Sequence, residues 1–140
     1  MLMSDYVFDA YNVRQSLEKH PVFAALSIEE LLKLCSFAKV KTFKKDETLI
    51  RESEPNDFLF LILNGFVDVK SYGVTIASCA KGALLGEVST LELGDATAEI
   101  KAASEVNALV LPKGCIHELV REDPKFGECL YDSAMSRLLS

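Results

Sequence analysis

Hydrophobic and polar positions follow two different periods along this 140-residue chain, and the period changes near residue 39. Residues 5–19 (DYVFDAYNVRQSLEK) put Val7, Ala10, Tyr11 and Leu17 near one helical face. His20-Pro21 closes that helix, because the residue before a proline is pushed out of helical dihedrals. Ser27-Ile28-Glu29-Glu30 reads as a capping box, and Ile28, Leu31, Leu32, Cys35 and Ala38 follow at helical spacing. Beyond residue 39, short extended segments are separated by turn signals at Lys45-Asp46, Ser53–Asp57, Asn64-Gly65, Ser71–Gly73 and Lys81-Gly82. A spacing of about 8–12 residues between such signals marks a β-sandwich or barrel.

Phe58–Leu63 (FLFLIL) is apolar on both faces and predicts a buried strand, and Asn64-Gly65 after it is a hairpin signal. Phe66, Val67 and Val69 continue beyond that turn, and Val74–Cys79 is a further strand. Thr97–Ala102 and Val106–Leu111 are the last two, with Val106, Ala108 and Val110 on one side. Pro112 opens a helix to about Arg121, since proline suits a first helical turn. Pro124 opens the last helix, with Phe126, Leu130, Ala134 and Leu138 on one stripe. Helices, then about eight short strands, then helices fit a mainly β fold with flanking helices. The expected architecture is a double-stranded β-helix or jelly roll, with N-terminal helices at 5–38, the roll at 39–111 and two C-terminal helices at 112–139, the helices collected at its ends. One domain is expected over 1–140.

Hydrophobic residues at 49% and charged residues at 26% suit a globular chain rather than a disordered one. The net charge of −6 argues against nucleic acid as main partner, because that affinity rests on cationic contacts to phosphate. The basic stretch at 39–45 (KVKTFKK) alternates as the solvated face of a strand does. The longest apolar run, Phe58–Leu63, is far short of the roughly 20 residues that span a bilayer, and the N-terminus lacks the pattern of a secretion signal, so a cytoplasmic protein with no membrane partner is expected. Cys35, Cys79, Cys115 and Cys129 form no C-x-x-C and read as free thiols, and Cys115-x-His117 is too little for a zinc site. No Ser/His/Asp order, metal cluster or paired carboxylate stands out, so no enzyme is expected.

One stretch has a different character. Gly82–Ile100 (GALLGEVSTLELGDATAEI) holds an acid directly after a glycine, a short helix-like segment and a second turn, between apolar extended segments. Loops of this composition let a backbone approach a ligand closely: Gly86 leaves room, the amides that follow can donate, and Glu87 can accept from hydroxyls. Glu87 reads equally as a cap on the short helix.

These residues together resemble the cyclic nucleotide-binding domain of catabolite-activator-type regulators, protein kinase A regulatory subunits and nucleotide-gated channels. The resemblance runs from about Leu17 to Leu138. Pro21-Val22-Phe23-x-x-Leu26-Ser27-x-Glu29-Glu30-Leu31 is similar to the family's opening segment, and Lys44-Lys45-Asp46-Glu47-x-Leu49-Ile50 to a strand pair. Phe60-x-Ile62-Leu63-x-Gly65-x-Val67 is similar to its glycine-containing strand, and Gly82-x-x-Leu85-Gly86-Glu87 to the entry of the phosphate-binding cassette, here 82–100. Ile116-x-x-Leu119-Val120, Pro124 and Arg137-Leu138 are similar to its closing helices.

The resemblance implies a ligand pocket inside the roll. In the family, the cassette helix offers amides to the cyclic phosphate, the glutamate accepts from the ribose 2′-hydroxyl, and a later arginine pairs with the phosphate ahead of a small hydroxyl residue. Carried over residue by residue, the site would consist of Leu85, Gly86, Glu87 and Val88 with Ala96, Thr97 and Ala98. The arginine position falls on Ala96, and the nearest cations, Lys101 and Arg51, would have to reach back. Ser53-Glu54, Leu85 and Ala83 are smaller departures from the family pattern.

A charge-assisted bond from an arginine is worth about 1.5–3 kcal/mol, very roughly ten- to a hundredfold in affinity. Glu87, Glu92, Asp95 and Glu99 would instead surround the anion with negative charge. The expected function is therefore a regulatory or sensor module with a small-molecule effector, in which cAMP or cGMP binding is weak or lost. The alternative is an interaction-only module that forms a homodimer, or docks on a protein partner, through 124–139. No helix-turn-helix follows the last helix, so direct DNA binding is not expected.

Overall fold

The Ser27 side chain accepts from the Glu30 amide and the Glu30 carboxylate accepts from the Ser27 amide, so the capping box starts a helix where the sequence places it. The computed structural model describes residues 10–91 and 93–139, with side chains described over 13–91 and 93–136. Residues 5–9 of the first predicted helix, the Glu92 position and the side chains of Arg137 and Leu138 lie outside the described residues. Helix α1 is Ala10–Glu18 and α2 is Ile28–Phe37. Strands follow at β1 (Lys39–Phe43), β2 (Thr48–Ile50), β3 (Phe58–Asn64), β4 (Val67–Ser71), β5 (Val74–Cys79) and β6 (Leu84–Leu85). A short helix α3 (Glu87–Thr90) precedes β7 (Glu99–Ala102) and β8 (Val106–Pro112), and α4 (Lys113–Glu122) and α5 (Pro124–Leu139) close the order.

Among the described residues the strands form two antiparallel four-stranded sheets, ordered β1-β8-β3-β6 and β2-β7-β4-β5. This is the jelly roll with flanking helices. The period-2 geometry of the first sheet divides the protein's interior. Phe60 and Ile62 of β3 join Val106 and Ala108 of β8 in the core between the sheets. Leu59, Leu61 and Leu63, with Leu109 and Leu111, point the other way into a second core with Leu17, Leu34, Ile116, Leu119, Phe126 and Leu130. The helices thus lie over the outer face of one sheet, a more specific placement than the ends of the roll. This is why β3 and β8 are apolar on both faces.

Two sequence readings are corrected. Asn64-Gly65 does not make a hairpin, because β3 pairs with β6 and β8 while β4 pairs with β5 and β7. The turn carries the chain from one sheet to the other, and Gly65, at φ 88°, lies against the Glu105 carbonyl, where a side chain would not fit. The hairpin is at the next turn, where Ser71 pairs with Val74 and both Tyr72 and Gly73 have positive φ. On α2, Leu31, Cys35 and Ala38 of the expected stripe pack on the core together with Leu34, while Ile28 and Leu32 are 54% and 50% exposed and face outward. No helix among the described residues is long and apolar enough to cross a membrane.

Candidate functional site

Position 86 shows why this loop folds as it does. Gly86 sits at φ 98°, and a Cβ there would meet the Phe58 carbonyl oxygen at 2.5 Å and the Asn56 amide nitrogen at 2.9 Å. Asn56 itself donates to the Phe58 carbonyl at 2.6 Å. Both the left-handed backbone and the close approach require glycine. From this turn α3 begins, and Glu87, Val88, Ser89 and Thr90 are all buried.

Two side chains from the C-terminal helices hold α3 from below. His117 of α4 hydrogen-bonds through Nε2 to the Thr90 carbonyl. Ser133 of α5 donates from Oγ to Glu87 Oε2 at 2.5 Å. Glu87 is the acidic residue of the first turn of α3, so its carboxylate stands at the helix N-terminus as well as against Ser133. On the same side, burial pushes the pKa of His20 below its ordinary value, partly offset by a backbone hydrogen bond with Gly82 and by the field of Glu87.

Above α3 and between the sheets is a cleft of about 300 Å³. Leu85, Gly86, Glu87, Val88, Ala96, Thr97 and Ala98 all line it, so the two halves of the expected site come together. Ser89 also lines it, as do Ile50, Val69, Ile76 and Ile100 from the second sheet. Those isoleucines and the valine were legible only as strand residues. Nothing in their local pattern distinguishes a wall of the cleft from ordinary core.

Ala96 is fixed firmly. Its amide donates to the Glu54 carbonyl at 3.2 Å and its carbonyl accepts from the Ser53 amide at 2.8 Å, which leaves its methyl group in the core beneath the cleft. No lysine, arginine or histidine is among the cleft's described lining residues. Ile100 lines the cleft, so its neighbour Lys101 projects from the opposite face of β7, where the register sets it beside Asp68. Arg51 is exposed and does not line the cleft.

Of the three described members of the predicted ring of acids, one lines the cleft. Glu87 lines the cleft, Glu99 stands opposite Lys70 on the outer face, and Asp95 is exposed away from the lining. Leu85 forms part of the wall. Leu84 and Leu91 belong instead to the core under the helices, so neither plugs the cleft. The Phe126/Leu130/Ala134 stripe is also consumed internally, since all three residues are buried.

The profile of the cyclic nucleotide-binding domain matches residues 40–123, which covers both sheets and the whole cleft. The chain belongs to the cyclic nucleotide-binding domain family. It is a domain of the sensor or regulatory type, and the family's domain is not itself catalytic. The chain is 26% identical over 101 residues to the cGMP-dependent protein kinase egl-4 of Caenorhabditis briggsae, covering 72% of this chain and 14% of the kinase. It is 23% identical over 128 residues to the human potassium/sodium hyperpolarization-activated cyclic nucleotide-gated channel 4, covering 91% of this chain and 11% of the channel. It therefore spans a small fraction of the curated relatives it matches.

Among solved structures, the regulatory domain of Toxoplasma gondii PKA with cAMP superposes with a TM-score of 0.80 at 15% identity, covering 91% of this chain and 50% of that one. The N-terminal domain of a transcriptional regulator from Streptomyces coelicolor gives 0.68 at 28% identity, covering 88% and 90%.

Proposed function

We propose that this domain works as a regulatory module that binds cAMP and cGMP weakly or not at all. The observation that carries this reading is Ala96: the position where the family places the phosphate's arginine holds a methyl group, and no cation is among the described residues that line the cleft. The phosphate of a cyclic nucleotide is an anion that loses water on entering. Without a fork of donors its desolvation is not offset. Helix α3 has four residues, too few for its dipole to replace the missing charge. Seated on 1–140 as one module, the site would comprise Leu85, Gly86, Glu87, Val88, Ala96, Thr97 and Ala98.

The test is a calorimetric titration of the protein and of Ala96→Arg with both cyclic nucleotides. The native chain should show weak binding or none. Because the backbone bonds to Ser53 and Glu54 aim position 96 inward, Ala96→Arg should tighten cAMP or cGMP by about ten- to a hundredfold. Submicromolar binding by the native chain, or no gain in the variant, would overturn the reading. The alternative is a ligand-free module docking through α5; Phe126, Leu130 and Ala134 of the stripe that suggested it are buried in the protein's own core.

A further inference from the structure

We infer that this protein carries a second ligand pocket, between α1 and β3, that takes an apolar monocarboxylic acid, its hydrocarbon body against Leu61 and Leu63 and its carboxylate at Lys19 and Lys81. The inference does not depend on the reading of the cleft and adds a site to it.

The turn after α1 and the turn before β6 enclose a cavity of about 590 Å³, larger than the cleft and within the range of small-molecule pockets. It lies on the helix side of β3, away from the cleft. Leu61 and Leu63 form its floor; they belong to the core under the helices and are 2% and 7% exposed. Pro21 adds a rigid apolar edge beside them. A hydrocarbon that reaches this floor leaves water for a surface of like kind.

The charged edge has one sign. Lys19, just past α1, and Lys81, before β6, both line the cavity and are both exposed, so they stand at its mouth. No aspartate or glutamate is among the described lining residues, and neither lysine joins an ion pair among the described residues. Glu18, the adjacent acid, lies 3.5 Å from Arg14. The negative end of α1 is blunted, because the Lys19 and His20 amides donate to the Gln15 and Leu17 carbonyls. His20 adds no charge: its Nδ1 accepts from the Val22 amide at 3.2 Å, and its ring also hydrogen-bonds to the Gly82 backbone, tying one wall to the other. In a chain of net charge −6, a cavity with two cations and no acid in its described lining is a local exception.

The two features divide the work. Exposed lysines are hydrated and screened, so each holds a carboxylate only modestly. The leucine floor supplies most of the affinity, and the lysines choose the sign. A small hydrophilic anion meets the lysines and leaves the floor uncovered. A cationic amphiphile covers the floor and is repelled at the mouth.

The experiment titrates hexanoate, octanoate and decanoate, below their micelle concentrations, into the native chain by calorimetry, with acetate and octylamine as controls. Methyl NMR spectra locate the site. Decanoate should bind at millimolar concentration or below, and each added methylene should tighten binding by about two- to fourfold. Acetate and octylamine should bind about tenfold or more weakly than octanoate. The Lys19→Gln/Lys81→Gln double variant changes only exposed side chains. It should keep the native thermal midpoint and weaken decanoate about three- to tenfold at low salt. The methyl signals of Leu61 and Leu63 should move, while those of Ile76 and Ile100 in the cleft should not. Failure of decanoate to bind overturns the inference, as does octylamine binding as tightly as octanoate. Unchanged affinity in the double variant, or shifts confined to Ile76 and Ile100, overturns it too. None of these outcomes bears on the Ala96→Arg titration, so the two readings fail separately.

Discussion

Ser133 on the last helix donates a hydrogen bond to the carboxylate of Glu87, the first residue of the cassette helix, across 2.5 Å. The residue that resemblance assigns to the ligand's ribose is thus also a structural attachment point. The bond ties α3 to α5.

Ser133→Ala removes one of the donors that stabilise a fully buried carboxylate. Hydrogen bonds to charged groups contribute about 1.5–3 kcal/mol, so a loss of roughly 1–3 kcal/mol in urea unfolding is expected, without a change in m-value. An unchanged midpoint would show that the tie contributes nothing.

Gly86→Ala should be among the costlier single changes in the loop. It combines a left-handed backbone with a methyl group pressed on the Phe58 carbonyl, for about 2–4 kcal/mol. Thermal unfolding reads this directly. Gly73→Ala, at φ 79° with nothing within 4 Å, carries the strain without the clash and should cost less.

His20 sets part of the acid response. Its folded pKa is depressed, so the unfolded chain takes up a proton first as pH falls below the ordinary value of 6.5. Its stabilising contribution is fully present above that value and is lost as pH falls toward the folded pKa. The difference in unfolding free energy between native protein and His20→Gln should therefore shrink on acidification from pH 7. A constant difference across that window would show that His20 does not titrate differently in the two states.

Phe126 separates the two uses of α5. It is 2% exposed and its ring centroid lies 5.7 Å from that of Phe23, so Phe126→Ala should cost about 3–5 kcal/mol. For a residue of the protein's own core, the midpoints of native and variant chains are both independent of protein concentration. A native midpoint that rises with concentration would instead support assembly through this helix.

The fold was legible because several independent signals agree: the capping box at Ser27, the prolines at 112 and 124, and strands separated by turns. The cleft was half legible. Gly86-Glu87 and Ala96–Ala98 follow from the family pattern, but Ile76 on exposed β5 could be assigned to the cleft only with the sheets in place. The Asn64-Gly65 reading failed because a glycine at positive φ fits a corner between sheets as well as a hairpin, and the dipeptide does not say which strand will pair next. The Ser133–Glu87 bond spans 46 positions and leaves no local trace.

The alternation along β3 and β8 has a final consequence. Odd-numbered positions such as Leu59 and Leu61 anchor the helices, while even-numbered ones such as Phe60 and Ile62 face the ligand side. Substitutions on one side therefore need no compensation on the other. The lining of the cleft can thus differ between two chains that keep the same core under the helices.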